Sequence, residues 1–312
     1  MTRGSYKRAH MEPAPADFGS ALYDEAAQRD LHLPDIDWSR IPAGFVRDRI
    51  AVPSGHLASV AYGTAGAPRA VLVPGATGSK EDFILMMPLL ASAGYRVESF
   101  DLAGQYESAQ AGPEHLIPPG RRYDYELFVD DLICILESGS TPVHVLGYSF
   151  AASVVQLAFA RRPELFASVT LLSCPPLSGR SFRGIKRIGW LAQLAPDGWA
   201  AAVMIWGIRR NLNAVPPGRL RFARDRLRVT RRSSVTDIMG LLGGIPDVPE
   251  ALSASAIPKL VAVGEHDLWP LRRHAAFARS LNATFAVYRT GHNPCESSPH
   301  QLARDLLTLY ER

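Results

Sequence analysis

Three cysteines in 312 residues, Cys134, Cys174 and Cys295, are odd in number and scattered, and none shows the paired spacing of a disulfide framework, a zinc site or a redox motif. They are read as reduced thiols. The histidines offer no metal site either, because no two stand at the H-x-x-x-H spacing that places both imidazoles on one helical face. No metal and no cofactor is expected. Long apolar runs are also missing: the longest, around Phe150 to Ala160 and Trp199 to Ile208, are about ten residues, where a bilayer span needs ~20. Stable membrane insertion is therefore not expected. Residues 1–20 are charged, contain proline and lack an apolar h-region, so no secretory signal is read there and a cytoplasmic address is the expectation.

What is present is the composition of a globular chain, with 47% hydrophobic and 21% charged residues. The net charge of +4 hides an asymmetry. Between Arg180 and Arg232 stand thirteen Lys or Arg against two Asp, a local balance of +11, so the remainder of the chain sums to −7. No nucleic-acid motif accompanies this block, and no nucleic-acid partner is expected.

Residues 1–40 mix Pro, Ala, Asp and Arg without sustained periodicity and read as an N-terminal extension outside the core. From Phe45 onward, short β-branched runs alternate with longer helical ones. The runs are Phe45 to Val52, Leu57 to Tyr62, Ala70 to Val73, Arg96 to Asp101, Val143 to Gly147, Phe166 to Leu172, Lys259 to Val263 and Thr284 to Tyr288. Eight strands, the last six mostly separated by helices, predict an opening hairpin followed by a mainly parallel sheet covered on both faces, an α/β fold. Ser79 and Asp82 form an S-x-x-D box ahead of a helix over Phe83 to Leu90 that Pro88 should kink or shorten. Ser298 and Pro299 open the last helix. More than eighty residues, Cys174 to Pro258, separate the sixth and seventh strands, where a crossover needs only about a dozen. The surplus predicts a helical cap inserted over residues 175–254, with the core formed by residues 41–174 and 255–312.

The segment V-H-V-L-G-Y-S-F-A, Val143 to Ala151, runs from a strand into an apolar helix and places Ser149 at the junction. A serine on such a turn lifts its hydroxyl above the sheet edge, where a base can reach it, and the helix start directs free N–H groups at the same spot. A hydroxyl is a weak nucleophile until a base takes its proton, so a histidine and a group to orient it are required. G-E-H-D, Gly264 to Asp267, follows the seventh strand, and T-G-H-N-P, Thr290 to Pro294, follows the eighth. In a parallel sheet both loops emerge at the edge that carries Ser149. The candidates are therefore Ser149 as nucleophile, His292 as base and Asp267 as the orienting acid, with Glu265 an alternative acid and Asp267 an alternative helix cap.

These segments resemble the α/β-hydrolase superfamily, from about Phe45 to Tyr310. The resemblance rests on the elbow with Gly147 and Ala151 around Ser149, on Ile257-Pro258-Lys259-Leu260 leading to the acid, on Asp101-Leu102-Ala103-Gly104, and on the G-H segment followed by Glu296 and Pro299. It implies an α/β-hydrolase fold with a helical cap after the sixth strand. It also implies an oxyanion hole made by the backbone N–H groups of Phe150 and Ala76, the latter in the glycine-rich loop Pro74 to Lys80, although relatives usually carry histidine at the position of Pro74. Spacing excludes a phosphate-binding P-loop there, because Gly75 and Gly78 enclose two residues rather than four. The implied activity is cleavage of a carboxylic ester, thioester or lactone through an acyl-enzyme. Acyl transfer or another reaction of the same triad, or a silent small-molecule-binding protein on this scaffold, stands as the alternative. The partner expected is a small acyl substrate. Within the insertion, Trp199 and Trp206 are candidate pocket residues, and the arginines from Arg219 to Arg232 are either a solvated face or the cationic rim of an apolar pocket suited to a lipophilic, anionic substrate.

Overall fold

Strict alternation along the strands decides how this chain layers. A computed structural model describes residues 24–176, Trp206, Arg210, 215–244 and 250–312. It contains β1 (Val46–Val52), β2 (Gly55–Tyr62), β3 (Arg69–Val73), β4 (Arg96–Phe100), β5 (Val143–Tyr148), β6 (Phe166–Leu172), β7 (Lys259–Gly264) and β8 (Thr284–Tyr288). They form one sheet in the order β1-β2-β4-β3-β5-β6-β7-β8. β1 and β2 make the opening antiparallel hairpin, β2 pairs antiparallel with β4, and every pair from β4 onward is parallel. The expected sheet is thus the observed one, with ends shifted by a residue or two.

Val71 and Val73 of β3 and Val143 and Val145 of β5 belong to one apolar cluster, with α3 (Tyr125–Glu137) and α4 (Phe150–Arg161). Their alternates Ala70, Leu72, Leu146 and Tyr148 belong to the other, with α2 (Met87–Ser92) and α10 (Pro299–Tyr310). This is the period-two partition of a sheet buried on both faces. Because six strands run parallel, the loops after β3, β4, β5, β6, β7 and β8 all leave at one edge. The chain reverses its direction of growth around β3 and β5, and the carboxyl edge at such a switch point is where α/β sheets place their ligands.

Two local expectations differ from the structure. The helix expected over Phe83 to Leu90 is divided into a 3₁₀ turn at Lys80–Phe83 and α2, which starts at Met87 so that Pro88 sits in its first turn, where a missing N–H costs nothing. Residues 24–40 are not outside the core. α1 (Glu25–Asp30) lies on α10, and Asp30 accepts hydrogen bonds from the backbone N–H groups of His300 and Gln301 at 2.9 and 3.1 Å, in the first turn of that helix. Trp38 is buried against Ile84 and Phe222. The described part of the insertion forms α5 (Pro217–Val229), α6 (Arg232–Gly243) and α7 (Glu250–Ala254), followed after β7 by α8 (Leu271–Ser280) and the short α9 (Pro294–Ser297). No described helix is long and apolar enough to cross a membrane.

The hairpin is fastened to α3 by a buried carboxyl. Asp131, 2% exposed, accepts the Ser54 N–H at 3.0 Å and the Ser54 hydroxyl at 2.6 Å. Burial pushes its carboxyl up to about 7, with the Ser54 hydrogen bonds pulling the other way. The native chain thus keeps a proton that the unfolded chain, with an aspartate near ~3.9, has already lost. That contribution is fully present below the unfolded value and disappears as pH rises through the folded one. Asp131→Asn cannot ionise, so its melting temperature relative to the parent should gain at least about 2 °C between roughly pH 5 and pH 8. Thermal melts in which the difference stays constant with pH would contradict this account of Asp131.

Candidate active site

The site begins with a backbone constraint. Ser149, between β5 and α4, has φ 53° and ψ −115°, a left-handed conformation that costs a β-carbon-bearing residue of order 1–3 kcal/mol. Its N–H donates to Leu172 O of β6 at 2.8 Å, and its carbonyl accepts the Ala152 N–H at 3.1 Å, so the turn is locked on both sides. Gly147 is needed here: a Cβ on it would lie 2.7 Å from the Ala151 carbonyl oxygen. The result presents the Ser149 side chain at the carboxyl edge, partly exposed.

Two loops converge on it. A Cβ at Gly264 would fall 1.8 Å from the Gly291 carbonyl oxygen, so only glycine lets the loops after β7 and β8 cross. The crossing is fixed by Glu265 N–H to Tyr288 O at 2.7 Å and His266 N–H to Thr290 O at 2.9 Å. It brings His292 Nε2 to 3.0 Å from Ser149 Oγ and His292 Nδ1 to 2.8 Å from Asp267 Oδ2. The three residues expected to act together are brought together. Glu265 and His266 are exposed, whereas Asp267 is 2% exposed. Burial alone would raise the Asp267 carboxyl, but the charge on His292 and hydrogen bonds from His274 and His292 outweigh it and hold it well below the usual carboxylate range. Cys174 and Cys295 are buried nearby, and burial pushes both thiols up, so neither offers a thiolate.

The glycine-rich loop after β3 stands close by. A Cβ on Gly75 would lie 3.0 Å from the Ser149 Cβ. Ala76 is half-buried beside the core, and Phe150 is fully buried as the first residue of α4. Among the described residues no hydrogen bond occupies the N–H of Ala76 or Phe150. The loop is tied at three points. The Thr77 N–H, at a left-handed φ of 56°, donates to Gln105 Oε1 at 3.1 Å; Ser79 N–H donates to Asp82 Oδ2 at 3.2 Å; and Lys80 N–H donates to Asp101 Oδ1 at 2.8 Å. Gln105 in turn donates to Ser234 Oγ of α6 at 2.6 Å.

The insertion's arginines are not uniformly a solvated face. Arg219, Phe222 and Arg226, at helical spacing i, i+3 and i+7, form the buried stripe of α5. Arg219 donates through Nη2 to Asp82 Oδ1 at 2.7 Å and through Nε to Glu296 Oε2 at 2.8 Å. Arg226 Nη1 donates to the same Asp82 oxygen at 2.6 Å and to Ser79 Oγ at 2.9 Å. The Arg219 guanidinium also lies 4.7 Å from the centroid of the Trp38 ring. Burial would raise the Asp82 carboxyl, and the two guanidiniums, Arg226 foremost, hold it below its ordinary value. Since Asp82 bonds Ser79 while Glu296 Oε2 accepts Asn293 Nδ2 at 3.0 Å beside His292, one arginine joins the glycine-rich loop to the histidine loop. Sequence reading missed Gln105 and His274, and took Arg219 and Arg226 only as members of a solvated face or cationic rim. The signal available was the periodicity: two arginines in register with Phe222, and His274 in register with Ala278 on the inner face of α8. Of the pocket candidates, Trp206 is exposed and Trp199 lies outside the described residues. Among the described residues no group of His, Cys, Asp and Glu could hold a metal.

A family model described as "Alpha/beta hydrolase family" matches residues 70–305 of the chain. A human protein described as "Serine hydrolase-like protein" is 27% identical over 128 residues, 41% of this chain and 60% of that protein, so the chain spans about 60% of the relative it matches. A solved bromoperoxidase from Bacillus anthracis superposes with a TM-score of 0.71 at 16% identity, over 86% of this chain and 100% of that one. A thermophilic esterase from Thermogutta terrifontis gives 0.64 at 21% identity, over 84% and 97%. At such identities the structural likeness carries the fold and not the reaction.

The ion cluster yields a test by paired substitution. Arg219→Leu leaves Glu296 buried without its cation, while Asp82 keeps Arg226, and should cost about 3–5 kcal/mol, roughly 5–8 °C in melting temperature for a chain of this length. Adding Glu296→Gln removes the stranded charge and should recover at least half of the loss. A double variant as unstable as the single one would show that the pairing is not what holds α5 in place.

Proposed function

The chain belongs to the alpha/beta hydrolase family, and from that premise we propose that it hydrolyses a carboxylic ester, thioester or lactone through an acyl-enzyme on Ser149. The observation that carries this reading is the continuous path of two short contacts, 3.0 Å from Ser149 to His292 and 2.8 Å from His292 to Asp267, ending on a carboxylate held ionised. As the Ser149 oxygen bonds to the acyl carbon, His292 Nε2 takes its proton, and Asp267 holds the imidazole in the tautomer that leaves Nε2 free to accept. The negative charge that develops on the acyl oxygen is met by the N–H groups of Phe150 and Ala76, both unoccupied among the described residues. His292 returns the proton to the departing alkoxide or thiolate as the bond to the acyl carbon breaks. In the second half a water gives its proton to His292, adds to the acyl carbon, and Ser149 leaves with that proton, so that one ester and one water become one acid and one alcohol.

The substrate is read as a small acyl compound. Of the seven arginines between Arg219 and Arg232, Arg219 and Arg226 are buried in ion pairs with Asp82 and Glu296, and Arg228 and Arg231 pair with Asp225 and Glu114, which weighs against reading the whole run as an anion-collecting rim.

Turnover of an ester panel of graded acyl length tests the reading. Ser149→Ala should lower kcat/KM by about 10⁴ to 10⁶ with the fold intact, His292→Ala by a similar factor, and Asp267→Asn by somewhat less. The Ser149/His292 double variant should be no worse than either single one, because the pair acts as a unit. Residual turnover of Ser149→Ala within tenfold of wild type would sink the assignment.

A further inference from the structure

Asp267 is approached by two imidazoles, and the mechanism above uses one. His274, fully buried on the inner face of α8, brings Nε2 to 3.3 Å from Asp267 Oδ1, the oxygen that also accepts the Trp269 N–H at 3.2 Å. The other carboxylate oxygen is left to His292. The Trp269 ring lies beside both imidazoles, with centroids 6.2 Å from His274 and 6.1 Å from His292. Among the described residues the buried Nδ1 of His274 has no hydrogen-bond partner. That fixes the tautomer. A neutral imidazole with its proton on Nδ1 would strand a buried donor and turn a lone pair toward the carboxylate, whereas a proton on Nε2 satisfies both constraints.

We propose that His274 is a positioning residue: its Nε2–H, beside the Trp269 N–H, holds the Asp267 carboxylate turned toward His292 and draws charge from it, so that His292 binds its proton less tightly. The part of this inference that concerns turnover rests on the function proposed above; the part that concerns the titration of His292 does not. The sign follows from the geometry. The Trp269 N–H still holds Oδ1 when His274 is replaced, so the carboxylate keeps its orientation and what changes is its charge: losing the second donor strengthens its pull on the imidazolium at Oδ2 and raises the pH at which His292 becomes neutral. Ser149 and Tyr148 from the β5 turn lie against His292, Cys174 after β6 is buried close enough to Asp267 to feel its charge, and the charged neighbours in the β7 loop and on α8, Glu265, His266 and Arg272, are exposed. None is changed by substitution at His274. Being fully buried, His274 does not reach substrate, and KM is not expected to follow the change.

The experiment is a nitrogen-15 NMR titration of the histidine rings in the full chain, beside pH profiles of kcat/KM, for wild type, His274→Leu and His274→Gln. Wild type should show His274 in the Nε2–H form. His274→Leu should move the His292 midpoint upward by about half a pH unit or more, with the rate profile following it, and His274→Gln, which restores an N–H donor, should return it most of the way. KM should change by less than about threefold, as for a group acting through another. If His274→Leu does not fold, His274→Met supplies a donorless side chain of greater flexibility for the same comparison. A His274 proton on Nδ1, a His292 midpoint that stays put or falls in the donorless variant, or a glutamine that restores nothing would overturn the proposal. Absence of Ser149-dependent turnover in wild type would defeat the function proposed above while leaving the NMR titration to decide on His274.

Discussion

The left-handed backbone at Ser149 is the constraint around which the remaining parts are arranged. It stores strain, and it persists because the surrounding structure over-determines it: the β5 to β6 ladder holds the Ser149 N–H, α4 starts at once from its carbonyl, and Gly147 lets that helix close against the strand. α4 is apolar on nearly every side and buried in the centre of one layer, so it cannot move to relieve the turn. A serine in an ordinary strand-to-helix connection would leave its hydroxyl along the sheet; here the conformation lifts it to the edge where the loops after β3, β7 and β8 meet.

Those loops are short, and buried charged side chains anchor them. Their orientation rests on charges that the solvent cannot screen well: Asp82 and Glu296 with Arg219 and Arg226, and Lys80 with Glu81, Asp101 and Glu107. Ion pairs of this kind are weak sources of net stability, since desolvation cancels much of their attraction, but removing one partner is costly. Their consequence is specificity of arrangement. α5 and α6 come from the segment inserted between β6 and β7, yet their arginines and Ser234 reach the glycine-rich loop through Asp82, Ser79 and Gln105. The described helices of the insertion are therefore part of the scaffold that shapes the site, in addition to whatever they contribute to binding.

Much of this was legible in the sequence. The succession of short β-branched runs and helical stretches gave the sheet, because strands buried on both faces read as compact apolar runs; which residue faces which layer came only from the structure. The order of Ser149, Asp267 and His292 was legible because parallel strands put all their carboxyl-end loops on one edge. The Phe83 to Leu90 helix was misdivided, since a proline breaks a helix interior but is welcome in a first turn, and the pattern alone does not say which turn it is. Arg219 and Arg226 were hidden by the habit of reading arginines as solvated: their stripe with Phe222 was visible, but their partners lie more than seventy residues away. His274 was hidden for another reason. It sits seven residues beyond Asp267, and only the turn through Trp269 and Pro270 folds it back onto that carboxylate.

The central claim is that Ser149, activated by His292, is the group that attacks an acyl carbon. The measurement that meets it most directly is mass-spectrometric mapping of the chain after exposure to a serine-directed phosphonate. The account predicts a single adduct on Ser149, formed at least about a hundredfold more slowly when His292 is replaced by alanine, because an unactivated hydroxyl is a poor nucleophile. An adduct on a different residue, or labelling of wild type that persists unchanged in Ser149→Ala, would contradict it.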